Sequence, residues 1–206
     1  MIPRSGEGDT EWHDGDPFWV WHFANAFDTQ DGVELQAVTW THLGGGLVPG
    51  LAPPQAAYEQ IDLSTKNSAI NRIPMVKRAM EFPRIDDRLI GSRHHQVALG
   101  ARGENDTLPT GAFDGVLTID TDSGTADFYQ SDGLALGEPC FVPNPQSETD
   151  GYYVTFAESL ADRSSFFLIF ASDRVKAGPV ATVRIPQRVP LGLHGVWVPK
   201  EDMPAP

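Results

Sequence analysis

Histidine and glutamate side chains are the groups of this sequence with the clearest potential for metal chemistry. The chain has six histidines, and His22 and His194 lie in segments rich in aromatic residues or glycine. A neutral imidazole is a suitable ligand for divalent iron, and a ligating histidine usually donates its other N–H to a carboxylate or carbonyl oxygen. Glu81 and Glu138 are candidates for such carboxylates. Taken alone, however, a histidine in a strand is more typical of a hydrogen-bonded structural residue, and a glutamate at a strand end of surface charge.

The remaining histidines do not form a ligand pattern. His94 and His95 are neighbours, and neighbouring residues of a strand point to opposite faces, so a structural or exposed role is expected for both. His13 and His42 have no partner at ligand spacing. The sequence contains no G-x-S-x-G and no H-E-x-x-H motif, which argues against the usual serine hydrolases and zinc proteases.

Composition restricts the class of protein further. The 206 residues, 40% of them hydrophobic, are enough for one globular domain or two small ones. A net charge of −13 argues against binding to nucleic acid or to an anionic membrane surface. The apolar runs are too short to span a bilayer, and the single cysteine, Cys140, cannot form an internal disulfide. We therefore expect a cytoplasmic protein without a transmembrane segment.

The pattern of elements predicts an all-β fold. Turn residues recur every 10 to 15 positions, and the segments between them are rich in Val, Ile, Thr and aromatic residues. The predicted strands are Phe18–Phe23, Val33–Trp40, Arg78–Arg84, His94–Leu99, Gly115–Asp120, Ala126–Gln130, Cys140–Val142, Tyr152–Ala157, Phe166–Ala171, Val180–Ile185 and Leu193–Val198. Gly44–Pro54 reads as a long loop and Pro54–Tyr58 as a short helix. Antiparallel hairpins of this kind build either a sandwich or a propeller, and roughly eleven strands make about three propeller blades.

Four segments carry a resemblance to a known family. They are Trp21–Asp28 (WHFANAFD), Glu81–Asp86 (EFPRID), Gly137–Pro143 (GEPCFVP) and Val189–Trp197 (VPLGLHGVW). In this order and at these separations they resemble the conserved blocks of the carotenoid oxygenase family, which includes carotenoid, apocarotenoid and stilbene cleavage dioxygenases. The resemblance runs from Pro3 to Pro199.

The resemblance implies a partial seven-bladed β-propeller and an iron site. The family binds Fe(II) on the propeller axis with four histidines, and three glutamates lie behind three of them. By the matching blocks, His22 and His194 are metal ligands, Glu81 lies behind His22, and Glu138 lies behind His194. The other ligands belong to the half of the family domain that precedes this segment. The chain, residues 1–206, is therefore interpreted as the C-terminal part of the domain, truncated at the N-terminus.

By resemblance, the function is that of a non-haem Fe(II) dioxygenase. It uses O₂ to cleave a C=C bond of a carotenoid, apocarotenoid or stilbene into two carbonyl products, a reaction of carotenoid catabolism. The implied partners are an apolar polyene or stilbene, O₂, and the missing N-terminal half or another chain. The alternative is an inactive propeller fragment or an interaction module without metal, because metal affinity depends on the number of ligands.

Overall fold

Antiparallel β-strands are the main regular secondary structure of the computed structural model, which describes residues 1–43, 53–103, 108–109, 111–147 and 150–203. The strands are β1 (Trp19–Thr29), β2 (Gly32–Trp40), β3 (Ala56–Ser64), β4 (Ile70–Lys77), β5 (Met80–Arg84), β6 (Gln96–Ala101), β7 (Gly115–Asp120), β8 (Ala126–Gln130), β9 (Leu134–Leu136), β10 (Cys140–Pro143), β11 (Gly151–Ser159), β12 (Ser165–Ala171) and β13 (Ala181–Ile185). Short 3₁₀-helices occupy Asp87–Leu89, Val175–Ala177 and Lys200–Asp202. No helix within the described ranges has the length and apolar character needed to cross a membrane.

The described residues divide into two compact units. The first unit comprises residues 1–79 and 89–93, and the second comprises residues 80–88 and 94–206. In the first unit the strands form one antiparallel sheet in the order β1-β2-β3-β4. Val38, Tyr58 and Ile61 are buried in it, and the Tyr58 hydroxyl donates a hydrogen bond to the side-chain carbonyl of Gln36.

The second unit contains two antiparallel sheets. One has the order β5-β6-β7-β8, and the other has the order β10-β11-β12-β13 with β9 paired to β11. Its hydrophobic core takes residues from both sheets and Val175 from a 3₁₀-helix; the sheet residues are Ala98, Val116, Leu136, Phe141, Tyr153, Ala157, Leu168 and Phe170. A hydrogen bond also joins the sheets, since the Tyr153 hydroxyl donates to Gln96 Oε1 at 3.1 Å. Burial raises the pKa of this hydroxyl, which therefore stays protonated.

The prediction of an all-β fold of antiparallel hairpins is confirmed, whereas the number of propeller blades stays a prediction. Ten predicted strands overlap β1, β2, β5–β8 and β10–β13. The short helix at Pro54–Tyr58 is wrong, because β3 begins at Ala56 and pairs along its length with β2. The loop predicted over Gly44–Pro54 lies mostly outside the described residues.

The strand predicted at Leu193–Val198 is also wrong. No strand of the described residues pairs with this segment, and hydrogen bonds from side chains hold it instead. Conversely, the predicted strands did not include β3, β4 and β9. A proline, Pro74, lies inside β4, and β4 is the edge of its sheet, where a residue without an N–H is tolerated.

We expect truncation of Phe170 to destabilise the second unit strongly. This side chain is fully buried and packs edge-on against Tyr129, with ring centroids 5.1 Å apart. Phe170→Ala should lower the free energy of unfolding by about 3–5 kcal/mol, measured by urea denaturation. Phe156→Ala is the matched control, because Phe156 also makes an aromatic pair, with Phe167, but is 45% exposed. Equal losses for the two variants would contradict the assignment of the core.

Candidate metal centre

The structure brings His194 and Glu138 together in the second unit. His194 lies in the segment that follows β13, and Glu138 lies in the connection between β9 and β10. The distance from His194 Nδ1 to Glu138 Oε1 is 3.3 Å, and the backbone N–H of Gly195 donates to Glu138 Oε2 at 2.7 Å. Because a carboxylate only accepts hydrogen bonds, Nδ1 carries the hydrogen in the neutral ring. The lone pair then lies on Nε2, which points away from Glu138.

A bulge in β5 delivers a second contact to His194. The pairing of β5 with β6 shifts by one residue between Glu81 and Arg84, and Phe82 within this bulge has a φ of 59°. A positive φ is unusual for a bulky residue, and bulges commonly redirect side chains. The Phe82 ring packs edge-on against the His194 imidazole at 5.7 Å and against Phe113 at 5.8 Å. Glu81 is buried, and its carboxylate accepts a hydrogen bond from the Phe82 amide at 3.1 Å.

Arg84, which follows the bulge, contacts the carboxylate of Glu138 and the backbone of Gly195, the residue after His194. Its Nη1 donates to the backbone carbonyl of Gly195 at 2.9 Å and lies 3.4 Å from Glu138 Oε2, while Nη2 lies 3.2 Å from Asp87 Oδ2. Burial works to lower the pKa of the guanidinium, but the negative charges of Glu138 and Asp87 outweigh it and raise that pKa. The guanidinium therefore stays charged beside the glutamate.

An apolar pocket of about 290 Å³ adjoins this pair. It is lined by Gly137, Glu138, Cys140, Val154, Thr155, Phe156, Phe167 and residues 192–197. The imidazole is 58% exposed, whereas the Glu138 side chain is only 5% exposed. The carboxylate is thus sheltered from water behind a ring that remains accessible.

His22 lies in the first unit, in an irregular part of β1. The pairing of β1 with β2 shifts between Val20 and Phe23 and again between Phe23 and Asn25. These two bulges interrupt the regular alternation of side chains along the strand. His22 is half-buried, while Trp21 and Phe23 on either side of it are more than half exposed.

Asn25, three residues after His22, attaches a loop to β1. The side chain is buried; its Nδ2 donates to the carbonyls of Ser92 at 2.8 Å and Leu89 at 3.3 Å, and its Oδ1 accepts from the Gly91 amide at 2.9 Å. An asparagine side chain can both donate and accept, which neither an aspartate nor an apolar residue of similar size can do. The asparagine of the first sequence block is therefore explained by this loop.

Comparison with known proteins decides the family. The family described as Retinal pigment epithelial membrane protein matches residues 1–199. The chain belongs to this family, the carotenoid oxygenases. It is 31% identical to a carotenoid cleavage oxygenase of Mycobacterium tuberculosis over 97% of its length and 42% of the relative's. It is 26% identical to an isoeugenol monooxygenase of Pseudomonas nitroreducens, with 97% of this chain and 46% of the relative covered.

Solved structures agree. A lignostilbene dioxygenase of Pseudomonas brassicacearum superposes with a TM-score of 0.78 at 27% identity, over 88% of this chain and 42% of the other. A chimera described as ACO/RPE65 superposes with a TM-score of 0.83 at 22% identity, over 96% of this chain and 43% of the other, which shows the shared fold. The chain spans less than half the length of these relatives.

The predicted iron-site residues of this carotenoid oxygenase chain stand as follows. His194 and Glu138 are in contact, Glu81 lies in the same unit, and His22 belongs to the other unit. An imidazole that is hydrogen-bonded to a carboxylate is a suitable ligand for divalent iron. The chemistry of His194 and Glu138 therefore fits the implied metal. Across the part of the chain that the structure describes, no group of three or more His, Cys, Asp or Glu side chains is placed to hold an ion. The roles of all four residues stay predictions.

Sequence reasoning did not single out Asn25, Phe82 and Arg84. Each lies inside a block that carried the family resemblance, one to three residues from a predicted site residue. The only sequence signal that could have identified these three residues was their closeness to a predicted site residue. Their contacts join segments distant in sequence, which no local pattern encodes.

We expect Asn25→Ala to lower the free energy of unfolding by about 1–3 kcal/mol, because it removes three hydrogen bonds between a buried side chain and the loop. The Gly91 amide should exchange its hydrogen faster, measured by hydrogen–deuterium exchange. Asn67→Ala is the control, since the Asn67 side chain accepts a hydrogen bond from Ala69 in an exposed turn. Unchanged exchange at Gly91 would show that Asn25 does not hold the loop.

Proposed function

We propose that this chain contributes to a non-haem Fe(II) dioxygenase that cleaves a C=C bond of a carotenoid, apocarotenoid or stilbene. Both atoms of O₂ enter the products, so that one alkene yields two carbonyl compounds. The observation that carries the proposal is the hydrogen bond between His194 and Glu138, because it prepares one imidazole nitrogen for a metal. Membership of the carotenoid oxygenase family supports the same reaction class.

The names of the relatives suggest the substrate class. They include a carotenoid cleavage oxygenase, an isoeugenol monooxygenase, an apocarotenoid oxygenase and a lignostilbene dioxygenase. We infer an apolar substrate with a conjugated double bond. The pocket beside His194 suits such a substrate, because Phe156, Phe167 and Trp197 line it.

His194 and His22 would hold the iron, with Glu138 and Glu81 as the carboxylates behind them. When bound, Fe(II) supplies the activation of O₂ toward the alkene. Glu138 keeps the hydrogen of the neutral imidazole on Nδ1, which leaves the Nε2 lone pair for coordination. The aromatic side chains of Phe156, Phe167 and Trp197 give the space next to the exposed ring an apolar wall.

A second candidate is a fragment or interaction module without metal. The observation in its favour is that, over the described residues, no group of three or more ligating side chains is placed to hold an ion. Two histidines would bind iron more weakly than the four of the family, because affinity follows the number of ligands and how far the site is preformed. Iron content separates the two candidates.

We expect the purified chain, reconstituted anaerobically with Fe(II) and desalted, to hold close to one iron per chain by plasma mass spectrometry. The His22→Ala, His194→Ala double variant should hold background iron. Glu138→Gln should weaken iron binding by about 10–100-fold, the usual cost of losing a carboxylate partner of a ligand. His95→Ala is the control, because His95 is exposed and pairs with Asp122.

Product analysis then tests the reaction. The iron-loaded chain is incubated with isoeugenol, a lignostilbene or an apocarotenal under ¹⁸O₂, and label is expected in both carbonyl products. Iron in the wild-type chain no higher than in the double variant would reject the dioxygenase and favour the fragment without metal.

A further inference from the structure

Arg84 joins three segments of the second unit that are far apart in sequence. Its guanidinium donates to the carbonyl of Gly195, the residue after His194, and lies against the carboxylate of Glu138. Glu138 Oε2 also accepts the Gly195 amide, so the two polar groups of Gly195 are held by an arginine and a glutamate that contact each other. Both backbone polar groups of the residue next to His194 are therefore hydrogen-bonded to side chains.

This arrangement differs from an ordinary surface ion pair. The Arg84 side chain is 20% exposed and that of Glu138 is 5% exposed, whereas Asp87, its other partner, is half exposed. Exposed pairs contribute little because water screens them, but Arg84 is sheltered and donates a directional, charge-assisted hydrogen bond to the Gly195 carbonyl at 2.9 Å. The planar guanidinium can also serve the carbonyl and both carboxylates in one fixed geometry, which a lysine cannot reproduce.

We propose that Arg84 is a positioning residue for His194, holding the Gly195 carbonyl and the Glu138 carboxylate so that the imidazole keeps Nδ1 on Glu138 and turns Nε2 outward. This proposal rests on the proposed function, because the orientation of Nε2 is important for iron binding. The geometry itself can be tested without metal.

The single cysteine of the chain reports on this segment. Cys140 is buried, and a Cβ built on Gly195 would lie 3.3 Å from its sulfur, so the backbone at Gly195 lies against the thiol. Burial raises the pKa of Cys140, while the charge of Arg84 works to lower it. Loss of that charge alone would thus raise the thiol pKa and slow alkylation. Faster alkylation would therefore measure opening of the segment.

The experiment compares alkylation of Cys140 by iodoacetamide in the metal-free wild-type chain, Arg84→Met, Arg84→Lys and Arg88→Met. Arg84→Met should react about tenfold faster, the factor expected from losing one hydrogen bond to a charged group. Arg84→Lys should fall between it and the wild type, because it keeps the charge beside Glu138. Arg88→Met is the matched control: Arg88 also forms an ion pair, with Asp86, but does not hold Gly195.

A spectroscopic signature separates positioning from general loosening. The ¹⁵N chemical shifts of the two His194 ring nitrogens show which nitrogen carries the hydrogen. They are recorded at a pH at which the imidazole is neutral. The wild type should show hydrogen on Nδ1. Arg84→Met should show a mixture of both tautomers, and Arg84→Lys should restore part of the wild-type pattern. Thermal unfolding of each variant identifies any that fails to fold, in which case Arg84→Lys carries the comparison.

The proposal is overturned if Arg84→Met and Arg84→Lys leave both Cys140 reactivity and the His194 tautomer unchanged, or if Arg88→Met changes them equally. These measurements use no iron, so they stand apart from the dioxygenase. A wild-type chain that binds no iron, yet shows both effects, supports the positioning role and rejects the proposed function. A chain that binds iron in the wild type and in Arg84→Met equally, without either effect, rejects the positioning role alone.

Discussion

The carboxylate of Glu138 is the constraint around which the second unit arranges its candidate site. A buried negative charge is costly unless charges and hydrogen bonds satisfy it. Here three partners come from two other segments: the Arg84 guanidinium after the β5 bulge, and the His194 imidazole and Gly195 amide after β13. Satisfying one carboxylate therefore determines where the bulge, the β9–β10 connection and the segment after β13 must meet.

The segment around His194 shows why this constraint matters for the chain path. Its alternating apolar residues predict a strand at Leu193–Val198, but a strand needs a neighbour to accept its backbone hydrogen bonds. The segment is attached instead through side chains, beginning where the Val189 amide donates to Ser165 Oγ at 2.8 Å and continuing through Glu138 and Arg84. Residue pattern alone cannot distinguish these two ways of satisfying an extended backbone.

Several of the strands that the sequence did predict have clear turn chemistry at both ends. β7, β8 and β12 are bounded by glycine, aspartate or serine turns and carry β-branched and aromatic residues. β3 was not predicted because it begins with alanines after a proline pair, a pattern that resembles the start of a helix. It also buries a glutamate, Glu59, which pairs with Arg72. Its partner β4 was hidden by an internal proline. Both depend on pairing across a sheet, which no local signal contains.

The candidate site divides in the same way. The identities of His22, His194, Glu81 and Glu138 came from short blocks that resemble a family, and the chain belongs to that family. The residues that fix their geometry lie in the same blocks, but their partners are up to 111 positions away, as with Arg84 and Gly195. The bulges at Phe82 and in β1 could not be predicted from the sequence either, because a bulge depends on how two strands pair. Side chains that hold a ring in one orientation reduce the entropy that a ligand must lose on binding. In the second unit, Glu138 and Phe82 contact the His194 imidazole, and Arg84 holds the carbonyl of the next residue, so the orientation of this ring depends on residues of the chain itself.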